Sequence, residues 1–241
     1  LCCQKRTGSR NPGCSLRRLE RFKHIEIDHK ILTDEQAERC TPAVAVLTVY
    51  DPATGTTTYT AVNSLNANHT ARALFRGWIQ YYGIPFSVSS DQGTSFMSKV
   101  MTCMQRVMGI SKWFVGAAGN SRHVAGAERR NATAGDLLTQ GLATGELRDY
   151  DDLLMYLAMA TIRANMNYTH EHGGSTAYER CFGTEPRLML DAITQELGEA
   201  EWPEGTAATE DETATIHLIK EHTQDLVNEH QMMRDERARR N

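Results

Sequence analysis

The chain has 241 residues, 40% of them hydrophobic, which is enough to bury one full-sized core with extensions but not two large domains. Its net charge of −4 argues against a uniformly basic nucleic-acid coat, yet the charge is unevenly placed: residues 1–23 hold seven Lys or Arg and one acid, and residues 191–215 hold eight acids and no Lys or Arg. No apolar run approaches the roughly eighteen residues of a spanning helix, no secretory leader is visible, and the six cysteines form no disulfide framework, so a soluble protein of a reducing, intracellular compartment is expected, with no membrane partner.

Residues 1–23 are rich in Arg, Gly, Ser and Cys without helical or strand periodicity and read as a basic lead-in. Cys2, Cys3 and Cys14 fall short of the four ligands of a zinc site, and the segment holds no histidine; Zn2+ is expected only if upstream residues complete the set. From His24 to His29 apolar and polar residues alternate, with Ile25 and Ile27 on one face and Glu26 and Asp28 on the other, so a strand ending at Asp28 is predicted. Pro42 to Tyr50 reads as a second strand. Asp51-Pro-Ala-Thr-Gly55 supplies turn chemistry before a third strand to about Val62, which makes an antiparallel meander. From Asn68 the apolar residues Ala71, Leu74, Phe75, Trp78, Ile79 and Tyr82 recur at three and four, the period of an amphipathic helix.

Gly83-Ile84-Pro85 stops that helix, because Pro85 lacks an amide proton and drives Ile84 out of helical geometry. Phe86 to Ser89 is a short strand, and Asp91 stands after it, followed by Gln92-Gly93-Thr94, where Thr94 and Ser95 are placed to cap the next helix, Ser95 to Met108. A fifth strand is predicted over Lys112 to Val115, a mobile small-residue loop over Gly116 to Ser121, and helices over about His123 to Leu142 and Asp149 to Met166. The order βββαβαβαα is a mixed α/β layout. Residues 191–215 read as an acidic linker, and residues 216–241 as a charged helical tail with a weak seven-residue repeat of Ile219, Leu226 and Met233.

Three acids share a pattern: Asp28 at the first strand, Asp91 after the fourth, and Glu128 early on the helix after the fifth, with 62 residues between the first two and 36 between the second pair. If strands one and four are neighbours, Asp28 and Asp91 meet at one sheet edge and Glu128 reaches them from the covering helix. Hard divalent cations take oxygen ligands, and two of them can share a bridging carboxylate. Clustered acids raise one another's pKa, a strain that a cation relieves. Glu26, on the same strand face, is the alternative to Asp28.

Gly83-Ile84-Pro85 followed by Ser90-Asp91-Gln92-Gly93-Thr94-Ser95-Phe96 closely resembles the central motif of retroviral and long-terminal-repeat retrotransposon integrases. Glu128-Arg129-Arg130-Asn131 resembles that family's closing motif, and His172 to Glu179 with Phe182-Gly183 and Pro186-Arg187 resembles the segment just after its catalytic core. Cys2-Cys3-Gln4-Lys5-Arg6 resembles the tail of the family's amino-terminal zinc module, most of which would lie upstream. The resemblance covers about His24 to Arg187 and sets the core at residues 24–190. It implies a ribonuclease-H-like mixed five-stranded sheet flanked by helices, here with a C-terminal helical extension. It further implies a catalytic triad of Asp28, Asp91 and Glu128 binding two Mg2+ or Mn2+ ions, 3′-end processing and strand transfer of element DNA into target DNA, a homo-oligomer, and action in the nucleus. Lys112, Arg122, His123, Arg129 and Arg130 flank the site and are expected to meet DNA phosphates, while Gln92, directly after Asp91, is read as either touching the DNA substrate or capping the turn. Two departures stand out: the second acid spacing is one residue longer than usual, and the family's Pro and its Gly three residues before the Glu are replaced by Ala117 to His123, with Gly126 two residues before Glu128. A one-residue insertion in a mobile loop is easily absorbed, so Glu128 is kept as the third acid; the alternative is an inactive, integrase-derived domain that binds nucleic acid or protein.

Overall fold

The computed structural model describes residues 20–93, 96–116, 124–169 and 174–186, together with Asn228, Met232, Asp235 and Arg239 as isolated helical positions. Strands β1 (His24–Ile31), β2 (Ala45–Tyr50), β3 (Thr57–Val62), β4 (Ser87–Ser90) and β5 (Lys112–Val115) form one sheet in the order β3-β2-β1-β4-β5. β1, β2 and β3 pair antiparallel, whereas β4 lies parallel to both β1 and β5. This is the mixed five-stranded α/β arrangement that the sequence predicts, and it is compatible with a ribonuclease-H-like fold.

β2 is buried along its whole length, because both faces of the sheet are covered there. Ala45, Leu47 and Val49 point to one side with Ile25, Ile27 and Val88; α2 (Ala67–Leu74) and α4 (Lys99–Met108) close that layer through Leu74 and Met101. Val46 and Tyr59 point to the other side, where α5 (Ala125–Thr144) and α6 (Tyr150–Met166) cover them with Ala134, Leu137, Leu138, Leu153 and Leu157. The alternation read over His24 to His29 is thus the division between these two layers.

The helix predicted from Asn68 to Tyr82 is α2 followed by a π-turn (Phe75–Ile79) and the short α3 (Gln80–Tyr82). Gly77, in the π-turn, lies so near β3 that a Cβ would stand 2.0 Å from the Thr60 hydroxyl, so the wider turn places a residue without a side chain against the sheet. Several boundaries differ from the sequence reading, each for a local reason. β1 runs to Ile31 rather than ending at Asp28, since its ladder with β2 continues to the pair Ile31 and Ala45. α4 starts at Lys99 with Ser98 as its N-cap, the hydroxyl accepting from the Met101 amide at 3.2 Å; Thr94 and Ser95, proposed for that role, lie outside the described residues.

Two short helices went unpredicted, and both open on a capping box: α1 (Asp34–Arg39) on Thr33 and Gln36, and α7 (Ala177–Phe182) on Thr176 and Glu179. Between α6 and α7 lies a small hairpin of β6 (Tyr168–Thr169) and β7 (Ser175–Thr176). α7 is tied to the β2–β3 turn, with Arg180 Nε donating to the Thr54 carbonyl and Cys181 Sγ 2.8 Å from the Thr56 hydroxyl. Residues 1–19 of the basic lead-in, the loop 117–123, the linker 191–215 and all but four positions of the tail fall outside the described residues. No described helix is long and apolar enough to cross a membrane.

Leu74 is fully buried between sheet and helices, whereas Val107 is 80% exposed on α4. Leu74→Ala is expected to lower unfolding free energy by about 2–5 kcal/mol and Val107→Ala to change it by less than about 0.5 kcal/mol, both read from urea denaturation monitored by circular dichroism.

Candidate active site

The parallel ladder between β1 and β4 ends at the pair Ile27 and Ser90. Asp28 is the next residue of β1 and Asp91 the first residue after β4, so the sheet brings these two acids to one place. On the other side of β1, Asp28 is paired with Thr48 of β2. Above that pair lies α5, and Asn131 reaches down from it: the Thr48 hydroxyl donates to Asn131 Oδ1, and Asn131 Nδ2 donates to Asp28 Oδ2 at 2.7 Å. The carboxylate, which only accepts, fixes which end of the amide faces it, and one Asp28 oxygen is thereby held.

Glu128 lies in the first turn of α5 and is exposed, as is Asp91, whose Oδ1 accepts from the Gly93 amide at 2.9 Å in the turn after β4. The Asp28 carboxyl is pushed up to about 6, first by burial and then by the negative charges of Asp91 and Glu128; the His29 amide and Asn131 act in the opposite direction. Asp91 and Glu128 thus both lie near enough for their charge to bear on Asp28. Among the described residues no three His, Cys, Asp or Glu side chains converge on a single point that would hold one ion. The donor chemistry, carboxylates only and already in mutual repulsion, is of the kind that hard divalent cations take.

Glu26, the alternative to Asp28, has a different place. Its Oε2 accepts from the Gly126 amide at 2.8 Å and the Ala127 amide at 3.2 Å, at the start of α5. Burial raises its pKa, while those two amides and Arg129 oppose the rise. His29, beside Asp28, stacks on Phe96 with ring centroids 4.6 Å apart and 12° between planes, and its Nε2 lies 3.3 Å from the Thr70 hydroxyl. Burial pulls its pKa down to about 4, so it is neutral near pH 7 and joins the segment after Asp91 to β1 without adding charge.

Of the residues expected to meet DNA, Gln92 is exposed directly after Asp91, and Arg129 is exposed beside Glu128 with its Nε donating to the Ala125 carbonyl at 3.2 Å. Arg130 lies over the Tyr50 ring, 5.3 Å from its centroid. Lys112 is exposed but pairs with Ser87, four residues before Asp91, so it lies roughly 13 Å along the strands from the acids at about 3.3 Å per residue. Arg122, His123, Cys2 and Cys3 lie outside the described residues. The bonds made by Asn131, Glu26 and His29 were not foreseen. Strand alternation put Glu26 and Asp28 on one face, but nothing local to either residue shows which helix end comes to meet it.

Five strands in this order, with carboxylates where β1 and β4 part and at the head of the covering helix, define an α/β domain of ribonuclease-H-like architecture. No family model matches the chain. Over 107 residues, 44% of its length, the chain is 32% identical to the Gag-Pol polyprotein of baboon endogenous virus (strain M7). Over 122 residues, 51% of its length, it is 30% identical to the Pol polyprotein of feline endogenous virus ECE1. Those stretches are 6% and 11% of the two polyproteins, so the chain spans a small part of the relatives it matches. Such similarity is that of a retroviral pol-derived domain.

Asp28 ionises near 3.8 when the chain is unfolded and near 6 when it is folded, so the folded state is favoured by protonation. Its contribution is complete below about pH 4 and is lost as pH rises through 6. Asp28→Asn, which keeps an acceptor for Asn131, is expected to stabilise the metal-free protein at pH 7 by about 1–2 kcal/mol after solvent screening and to leave it unchanged at pH 4. Thermal melts of both proteins at the two pH values, in a chelator, test this.

Proposed function

We propose that residues 24–190 form the catalytic core of a retroviral or retrotransposon integrase, which trims element DNA at its 3′ ends and joins those ends to target DNA. The observation that carries this reading is the meeting of Asp28 and Asp91 where the β1–β4 ladder ends, with Glu128 close enough to raise the Asp28 pKa. The similarity to Pol polyproteins and the motif from Gly83 to Phe96 support it.

Asp28, Asp91 and Glu128 would hold two Mg2+ or Mn2+ ions, which supply activation of the attacking water or 3′-hydroxyl and neutralise charge on the leaving oxygen. The chain's own contribution is placement. Asn131 holds one oxygen of Asp28, the Gly93 amide holds one oxygen of Asp91, and the stack of His29 on Phe96 ties the two acids' segments together. Gln92, Arg129 and Arg130 would meet DNA beside the acids, as would Arg122 and His123; Lys112 would meet it farther along the sheet. Joining two DNA ends at one target calls for a homo-oligomer, and the substrate places the action in the nucleus.

A second reading, an inactive integrase-derived domain that binds nucleic acid or protein, draws on the absence among the described residues of three side chains converging on one point. Nicking of supercoiled DNA in Mn2+, with calorimetric titration of Mn2+ into the same protein, separates the two. The wild-type chain is expected to bind Mn2+ and nick DNA, and Asp28→Asn, Asp91→Asn and Glu128→Gln each to slow nicking by at least about a hundredfold, the scale of removing a group that stabilises transition-state charge. DNA binding without Mn2+ binding or nicking would establish the second reading. Nicking undiminished in Asp91→Asn would remove the acids from the site.

A further inference from the structure

α5 starts without a cap of its own. Its N-cap residue is Val124, whose side chain accepts no hydrogen bond, and the amides of Gly126 and Ala127 are the second and third of the helix, the two that a capping side chain ordinarily serves. Both residues are buried, so water does not replace the missing partner. Glu26 of β1 fills that place from across the domain: a single carboxylate oxygen accepts from both amides. The fit is close. A Cβ on Gly126 would lie 2.6 Å from that oxygen and 2.2 Å from the Tyr50 ring, so the helix end reaches Glu26 only because position 126 has no side chain.

Its location gives this capping bond a consequence for the site. Glu26 is two residues before Asp28 on the same strand face, and Ala127 immediately precedes Glu128. A second tie, from Asn131 to Asp28, lies one helical turn beyond. β1 and α5 are therefore pinned at two points, through Glu26 and through Asp28 itself, and Glu128 lies between the two on the helix. We infer that Glu26 is a positioning residue that latches the head of α5 to β1 and so holds Glu128 toward Asp28. This rests on the reading of Asp28, Asp91 and Glu128 as a cation site, and it assigns Glu26 a role other than that of a ligand.

The test combines amide hydrogen exchange with a double-mutant cycle of Mn2+ affinity on the full chain. In Glu26→Ala, exchange at Gly126 and Ala127 is expected to speed up at least about tenfold relative to the α6 core, whereas Glu26→Gln, whose amide oxygen still accepts, retains most of the protection. Glu128→Gln is expected to weaken Mn2+ binding roughly tenfold in the wild-type background, to keep that effect beside Glu26→Gln, and to have almost none beside Glu26→Ala. Unchanged exchange in Glu26→Ala would overturn the latch. A Glu26→Gln protein with protected amides but Mn2+ affinity as low as that of Glu26→Ala would overturn it differently, by making Glu26 a ligand. If Glu128→Gln leaves wild-type Mn2+ binding unaltered, the cation reading of Glu128 fails and the positioning role fails with it, while fast exchange in Glu26→Ala would still show the capping bond itself.

Discussion

The close approach of α5 to β1 and β2 is the constraint on which the rest of the molecule depends. A helix with ordinary side chains on its inner face would stand farther from the sheet. Here that face carries Gly126, Ala127, Ala134 and Gly135, and a Cβ on Gly135 would stand 2.7 Å from the Lys30 amine. The nearness lets Asn131, with its short side chain, touch Asp28, lets Tyr59 of β3 donate to the Arg130 carbonyl at 2.8 Å, and lets a strand carboxylate serve the helix start. Larger residues at these points would keep the apolar layer and lose the polar bonds at its margin.

Those polar bonds work against a cost. Burial penalises the charged form of Asp28, and the negative charges of Asp91 and Glu128 add to the penalty. The compensation lies in fixed donors: α5 supplies an amide side chain for Asp28 and its first backbone amides for Glu26, and the turn after β4 supplies an amide for Asp91. Neutral His29 adds packing without a countercharge that would compete with a cation. The site is thus held by its surroundings and not by attraction among its own members, which is the usual condition of preorganised chemistry.

Much of this was legible in the sequence, and what was not has a common cause. Period-two alternation over His24 to Asp28, the turn chemistry of Asp51 to Gly55 and the break at Gly83-Ile84-Pro85 are local signals, and the five strands followed from them. The end of β1 was misread because strand length is set by the partner: β2 pairs as far as Ile31, although β4 stops at Ile27. The start of α4 was misplaced because Thr94, Ser95 and Ser98 are alike as caps, and only the path of the chain after Asp91 selects Ser98. α1 and α7 were overlooked despite their capping boxes, as six-residue helices show little periodicity. The partners of Glu26 and Asn131 were beyond sequence reasoning because each lies about a hundred residues away, and only the approach of α5 brings them together.

The topology also explains why the acids stand where they do. β1 has an antiparallel neighbour on one side and a parallel neighbour on the other, and the two ladders end at different points. From Asp28 onward β1 is supported by β2 alone, so the side vacated by β4 is where the chain after Ser90 turns away and leaves Asp91 beside it. Alternation then fixes the residue. A shift of one position would point the acid, as Ile27 points, into the apolar layer beneath α2 and α4, where an ionised carboxylate could not be sustained. A shift of two toward the start of the strand gives Glu26, which meets helix amides instead of open space. Asp28 is thus the one position of His24 to Asp28 that combines the polar face, the end of the parallel ladder and a neighbouring strand that is followed directly by a second acid.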